Sequence, residues 1–310
     1  MGPDLMDASR EDWLNQIESL GDERGYFEPL GPDHSAILTD EGSTLIVTFE
    51  TLEDIRETAP LQEPLGWNLV RENNWSNLCI LAHKKTWFRD RAVYGYFDRL
   101  IEDGFFEEFE KVVFYGVGMC GYAAAAFSVV APDVTVISVQ PQATLDPDRV
   151  DFDRRFPEAQ QRDFKGRYDY APEMTEMAQA VFVLFDPAII EDTVHAALFR
   201  GDHIHRIRCR RFGNSLPKAL FAMGVTQTLV DQAAKDALTE HDCYRALRVR
   251  RRYLPYLRKL LKGAEARAKP QLIKWLAGAV TTTHRAPRFK KALKRANRAL
   301  AQSNLQGPPT

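Results

Sequence analysis

The stretch Val112-Val113-Phe114-Tyr115-Gly116-Val117-Gly118-Met119-Cys120-Gly121-Tyr122, followed by an Ala-rich segment over 123–131, decides the fold of this chain. Its first four residues are β-branched or aromatic, which is typical of a buried strand. The glycines at 116 and 118 permit a sharp turn, and the alanines that follow favour a helix. The sequence therefore predicts a strand that enters a tight turn and leaves it as a buried helix.

Other apolar runs repeat this alternation of strand and helix. The further predicted strands are 78–82, 134–139, 180–185 and 204–211. A helix is predicted over 91–101, where apolar residues recur at helical spacing. Strands without polar positions are typical of parallel sheets that are covered on both faces. The sequence therefore predicts an α/β protein with a mostly parallel, doubly wound sheet.

The N-terminal part has different signals. Ser9 can cap a helix that runs from Arg10 to about Leu20. Residues 35–38 and 44–49 predict a hairpin around Asp40-Glu41-Gly42. We therefore predict three parts: an N-terminal helical segment over 1–33, a core over 34–238 and a basic helical extension over 239–310.

Charge is distributed very unevenly along the chain. Residues 241–310 hold 18 Lys and Arg against 2 Asp and Glu, whereas the preceding 240 residues hold 23 against 41. Such a split predicts an anionic partner for residues 241–300, or docking of the basic tail on the acidic part of the chain. A membrane surface, a nucleic acid and an acidic protein surface all remain open as that partner.

Three features of the sequence bear on the cellular compartment, and they agree with one another. The first 20 residues contain no apolar segment of the kind found in secretory signals, and no run of about 18 apolar residues occurs anywhere. The four cysteines are widely spaced and form no Cys-x-x-Cys pair. We therefore expect a cytoplasmic protein with reduced thiols.

Three segments resemble one bacterial branch of the α/β-hydrolase superfamily. They are the turn 115–124, the strand end Val139-Gln140-Pro141-Gln142 and the upstream segment Thr86-Trp87-Phe88-Arg89-Asp90. In that branch the turn after the fifth strand, the nucleophile elbow, commonly reads Gly-x-Ser-Met-Gly-Gly-Tyr-x-Ala. The resemblance spans roughly residues 44–225. It implies an α/β-hydrolase-type sheet with the basic extension lying outside it.

The resemblance also assigns the catalytic positions. This sequence keeps only some of the residue types that the family has there. The nucleophilic serine falls on Gly118, and the backbone N–H of Met119 would help to form the oxyanion hole. The catalytic acid falls on Asp186, and the histidine falls on Asn214. Glycine has no attacking atom, and an asparagine cannot cycle a proton near neutral pH. We therefore predict a catalytically impaired protein that acts as a binding or scaffold module.

An active hydrolase or acyltransferase for small esters or acyl-glycans remains the alternative. Its nucleophile would be Cys120, in the first turn of the helix, where a thiolate is stabilised. A displaced base, for which His203 is the leading candidate near Asp186, would have to replace the missing histidine. A buried structural thiol is the competing interpretation of Cys120.

Parts of the sequence also fit other kinds of ligand. The residues Lys84, Lys85, Trp87, Arg89 and His203 are candidate contacts for a small-molecule ligand, although salt-bridged loop residues would show the same pattern. Gly116-x-Gly118-x-x-Gly121 matches a dinucleotide fingerprint, but no acidic residue stands at the next strand end. The spacing of His195, His203, His205 and Cys209 matches no zinc pattern. We therefore predict neither a cofactor nor a metal.

Overall fold

The structure, a computed structural model, describes residues 8–59 and 61–305. It divides into two compact units, Met1–Arg245 and Ala246–Thr310. The basic extension thus contains a unit of its own, which begins a few residues after the predicted boundary at 238/239. The predicted boundary at 33/34 does not separate a purely helical segment, because a strand lies before it.

The described residues form eight strands and thirteen α-helices. The strands are β1 (Gly25–Leu30), β2 (His34–Thr39), β3 (Thr44–Thr51), β4 (Ser76–Ala82), β5 (Lys111–Val117), β6 (Thr135–Val139), β7 (Ala180–Phe185) and β8 (Ile204–Arg208). The first ten helices are α1 (Arg10–Arg24), α2 (Leu52–Thr58), α3 (Leu65–Asn73), α4 (Arg91–Glu102), α5 (Met119–Ala126), α6 (Ala171–Met174), α7 (Ile190–Leu198), α8 (Leu216–Ala222), α9 (Val225–Ala234) and α10 (Glu240–Ala246). The last three are α11 (Leu254–Ala266), α12 (Pro270–Thr283) and α13 (Pro287–Leu305).

All eight strands form one sheet in the order β1-β2-β4-β3-β5-β6-β7-β8. Strand β2 is antiparallel to both of its neighbours, and the pairs from β4 to β8 are parallel. The predicted mostly parallel sheet is confirmed. Because the carboxyl ends of β3, β5, β6, β7 and β8 meet at one edge, the turns that follow them are brought together there.

Helices cover both faces of this sheet, as its side-chain pattern shows. Along β4, Leu78 and Ile80 enter the core on one face, whereas Cys79 and Leu81 enter the core on the other face. The first core contains the helices α4 and α5 with a cluster of phenylalanines, and the second contains Trp13 of α1. The doubly wound arrangement is therefore confirmed.

Two details at the N-terminal side differ from the prediction. The helix α1 is present with Ser9 as its cap, since the Ser9 side chain accepts a hydrogen bond from the Asp12 N–H. The predicted hairpin is wrong, because β4 lies between β2 and β3 and pairs with both. The turn at Glu41 and Gly42 is instead held by their N–H groups, which donate to the Ser76 hydroxyl.

The unit Ala246–Thr310 is a small helical bundle. Its helices α11, α12 and α13 bury a core of Leu257, Leu261, Ala277, Val280, Ala286, Phe289 and Ala292. Each helix has proline in its first two positions, where the missing N–H leaves no hydrogen bond unmade. Among the described residues, no helix is long and apolar enough to cross a membrane.

Candidate functional site

The turn between β5 and α5 has the backbone geometry of a nucleophile elbow. Gly118 lies at its tip with φ 57° and ψ −120°, a conformation that strains any residue with a side chain. Its N–H donates to the Val139 carbonyl at 2.8 Å, and its own carbonyl accepts from the Tyr122 N–H at 2.9 Å. The turn is therefore fixed between the end of β6 and the first turn of α5.

The three glycines of this turn differ greatly in the room that each leaves for a Cβ atom. A Cβ placed on Gly118 would meet no heavy atom within 4 Å, whereas one on Gly116 would lie 2.0 Å from the Cys120 carbonyl oxygen. A Cβ on Gly121 would lie 2.9 Å from the Ser138 hydroxyl oxygen. Gly116 and Gly121 are thus required by close packing. Gly118 faces open space in the direction that a nucleophile would occupy.

We expect G116A to be far more disruptive than G118A. The methyl group of G116A would overlap the backbone of α5 and should lower the free energy of unfolding by about 2 kcal/mol. G118A adds only the strain of a positive φ, on the order of 1 kcal/mol. Urea unfolding of the two variants beside the unmodified protein measures this. Equal losses would contradict the difference in packing at the two positions.

Cys120 does not present a nucleophile at this turn. Its side chain is 3% exposed and belongs to the main core. Burial raises the pKa of the Cys120 thiol well above its usual range, and the charges of Asp54 and Glu50 raise it further. A thiol of this kind stays protonated at neutral pH and is unreactive. The structure therefore favours the interpretation of Cys120 as a packing residue over the interpretation as a nucleophile.

Asp186 occupies the position of the catalytic acid, directly after β7, but its oxygens are used by the backbone. One carboxylate oxygen accepts from the Ala188 N–H at 3.0 Å, and the other accepts from the Gly213 N–H at 2.5 Å. The side chain is 1% exposed. Asp186 thus ties the turn after β7 to the turn after β8. Asn214, one residue beyond that contact, is exposed to solvent in a short 3₁₀ turn.

His203, the candidate for a substitute base, and His205 both lie away from the elbow. The Nε2 atom of His203 is 3.1 Å from the Thr175 carbonyl, and the His203 carbonyl accepts from the Val181 N–H near the start of β7. His203 is therefore at the amino edge of the parallel strands, opposite to Asp186, and the expectation that it approaches Asp186 is wrong. The ring of His205 stacks on Phe182, with centroids 4.8 Å apart. Neither histidine is placed beside the elbow.

The segment 83–90 after β4 lines the elbow. The Trp87 N–H donates to the Met119 sulfur at 3.1 Å, and Trp87 and Phe88 both adopt positive φ, at 53° and 56°. The Thr86 hydroxyl accepts from the Phe88 N–H and bonds the His34 Nε2 at 2.6 Å. Two successive non-glycine residues in the left-handed region show that this segment is held in a strained conformation against the turn.

Most of the predicted ligand contacts here already have partners within the protein. Lys84 forms an ion pair with Asp33 at 2.7 Å. Arg89 donates to the carbonyls of Asp163 and Arg167, so it fastens the segment 146–172 to the elbow. Trp87 is buried and packs its ring against Phe156 of the same segment, and Lys85 is exposed. These residues therefore support the loop structure around the elbow.

Sequence reasoning missed a buried ionic network at this edge. Arg155 bonds both carboxylate oxygens of Asp153 and one oxygen of Asp192 at 2.7 to 2.9 Å. His195 accepts from the Ala143 N–H at Nδ1, so its Nε2 carries the proton and donates to Asp153 at 3.0 Å. Burial would raise the pKa of Asp153, but the bonds from His195 and Arg155 outweigh it and lower that pKa.

Within residues 8–59 and 61–305, no group of three or more His, Cys, Asp or Glu side chains is arranged to hold a metal ion. The four cysteines are all free and buried. Cys209 is hidden at the end of β8, and His195 is committed to Asp153.

The strand order, the sharp turn after β5 and the acid after β7 define an α/β-hydrolase fold. The predicted architecture of this class is therefore confirmed. The chain matches no family model and no curated protein.

Several solved structures are similar to this chain. Carboxyl esterase 2 from the fungus Tuber melanosporum is 16% identical, with 69% of this chain and 86% of that chain covered and a TM-score of 0.45. The capsule O-acetyltransferase of Neisseria meningitidis serogroup A is 11% identical, with 64% and 92% covered and a TM-score of 0.44. An esterase of Pyrobaculum calidifontis is 13% identical, with 75% and 95% covered and a TM-score of 0.43.

Proposed function

We propose that this protein binds a small acyl-bearing molecule at the elbow without cleaving it, and that it works as a binding or scaffold module. The observation that carries the proposal is the tip of the elbow, where Gly118 directs only hydrogen into open space. An acyl-enzyme needs an oxygen or sulfur nucleophile with a base in hydrogen-bond reach. Gly118 and Asn214 supply neither at the two positions where this fold carries them.

Binding features of the elbow are nevertheless retained. The first N–H groups of α5, beginning at Met119, have no partner within the helix and can donate to a carbonyl or carboxylate oxygen. Residues 117–119 are partly exposed, so solvent reaches the turn. The strained Trp87-Phe88 segment lies against Met119 and forms an apolar wall. A ligand with an acyl carbonyl and a short apolar chain suits this combination.

A second candidate is hydrolysis or acyl transfer on small esters or acyl-glycans. The contact between Asp186 and Gly213 favours it, because the acid still meets the turn that carries the base in active members of this fold. Three of the solved structures similar to this chain are two esterases and an O-acetyltransferase. This candidate needs a nucleophile other than Cys120, whose thiol is buried.

The protein without substitutions should give no turnover of p-nitrophenyl acetate above the uncatalysed rate and no labelling by a fluorophosphonate. As a test of binding, the introduced thiol of G118C should react with Ellman's reagent, because it faces open space, while the four native thiols stay unreactive in the folded protein. Ethyl butyrate, an acyl probe, should slow that reaction by occupying the elbow.

Two results would overturn the proposal in different ways. Turnover that D186A abolishes and C120A leaves intact would establish the hydrolase candidate. If ethyl butyrate does not slow the reaction of G118C at any concentration up to its solubility, the elbow is not a binding site for acyl groups. C120A, a small change in the core beside the elbow, serves as the matched control for both measurements.

We also propose a cytoplasmic location. It rests on the four free cysteines, since buried thiols of this number persist unpaired in reducing compartments.

A further inference from the structure

We propose that the unit Ala246–Thr310 docks on the surface of an anionic lipid bilayer, with Leu272 and Trp275 entering the headgroup region. On α12, Leu272 is 47% exposed and Trp275 is 62% exposed. The two residues are three positions apart, so they share one face of the helix. An exposed tryptophan beside an exposed leucine is unusual for a helix that faces only water.

The surrounding charge matches an anionic surface. Residues 246–310 hold 17 Lys and Arg but a single acidic residue, Glu265. Glu265 is engaged by Arg288 at 3.7 Å and by Arg295 at 2.8 Å. The unit as a whole therefore carries a large excess of positive charge. On α13, Lys290, Lys294 and Arg298 recur every four residues and are all exposed, so they form one basic stripe.

This unit also has an open groove of about 550 Å³. Ile273 of α12 lines one side of it, and Ala292, Ala296 and Ala299 of α13 line the other. Glu265 and Arg295, which pair with each other, lie at this groove as well. Phosphates of a nucleic acid would use the cations but would leave Leu272 unused. A lipid surface uses both, because headgroups meet the cations and acyl chains meet the apolar side chains.

Tryptophan fluorescence of the full chain reports this contact directly. Of the five tryptophans, Trp13, Trp67, Trp75 and Trp87 are at most 8% exposed, so Trp275 dominates any response to an added surface. Vesicles of phosphatidylglycerol and phosphatidylcholine should shift the emission to the blue and sediment the protein, whereas pure phosphatidylcholine vesicles should do neither. W275F should still sediment but lose the spectral shift.

Variants separate the contribution of the apolar side chains of α12 from that of the lysines of α13. L272S/W275S should weaken sedimentation with the anionic vesicles at least about tenfold, and K290Q/K294Q should weaken it about fivefold for each charge removed. The control I190S removes a side chain that is 75% exposed outside this unit and should bind as the unsubstituted protein does. All substituted side chains are exposed, and unchanged thermal melting checks that the variants fold.

Three outcomes would overturn the proposal. They are absence of binding to anionic vesicles at low salt, binding that L272S/W275S leaves unchanged, and binding to duplex or single-stranded nucleic acid in place of vesicles. The last outcome would show that the basic stripe serves phosphates of a nucleic acid. Retention on an acidic protein without vesicle binding would be a case of the first outcome.

Discussion

R155A should lower the free energy of unfolding by about 3–5 kcal/mol, because it leaves two buried carboxylates without their cation. Asp153 and Asp192 are 0% and 1% exposed, and both are paired with the Arg155 guanidinium at 2.7 Å. His195 and Gln140 would still donate to them, but neither residue brings a positive charge in the arrangement seen here. Urea unfolding followed by circular dichroism measures the loss.

The matched control for this variant is R167A. Arg167 lies in the same segment and also pairs with an aspartate, Asp98, but the two side chains are 53% and 38% exposed. Water replaces an exposed ion pair readily, so R167A should change stability by less than about 1 kcal/mol. Equal effects of R155A and R167A would show that the buried network does not hold the structure together. Hydrogen exchange of residues 146–172 would locate the loss, with faster exchange expected there in R155A.

The elbow could be predicted from the sequence because its signals are local. The apolar run 112–115, the glycines and the alanines all lie within one short stretch, and each favours the observed conformation on its own. The strands β6 and β7 are predicted for the same reason, since both are rich in β-branched and apolar residues. Local propensity and burial agree at these positions, so no distant partner was needed to find them.

Strand pairing could not be predicted in the same way. The strands β2 and β3 are adjacent in sequence, and adjacent strands often pair, but β4 enters between them from 25 residues further along the chain. The strand β1 has no alternating pattern, and it contains Glu28 and Pro29. A proline is tolerated there because β1 is at the edge of the sheet, which only the completed topology reveals.

The buried network was missed because its members are far apart in sequence. Asp153 and Arg155 lie in a charged segment that is typical of a solvated loop, and their partners Asp192 and His195 lie on α7. Nothing in either segment alone indicates burial. The bonds between the segment 146–172 and α7 form only in the folded chain.

Acid should destabilise this protein between pH 6.5 and about pH 4, and His34 should account for about 3 kcal/mol of the loss. The ring of His34 is fully buried and bonds the Thr86 hydroxyl. Burial lowers its pKa from 6.5 to about 4, although the charge of Asp90 opposes this. Between these values the unfolded chain binds a proton that the folded protein does not bind. Unfolding is therefore favoured as the pH falls through this window and levels off below it.

Comparison with H34Q isolates this contribution. His83, whose pKa is also lowered by burial, acts in the same direction, whereas Glu50, whose pKa burial raises, acts in the opposite direction. Both are common to the two proteins, so the difference between their stability curves belongs to His34. The curve of H34Q should be flatter by about 3 kcal/mol between pH 6.5 and 4. An NMR titration that shows the His34 ring protonating near pH 6.5 in the folded protein would contradict this account, because a ring that protonates at its ordinary pKa cannot make folding depend on pH.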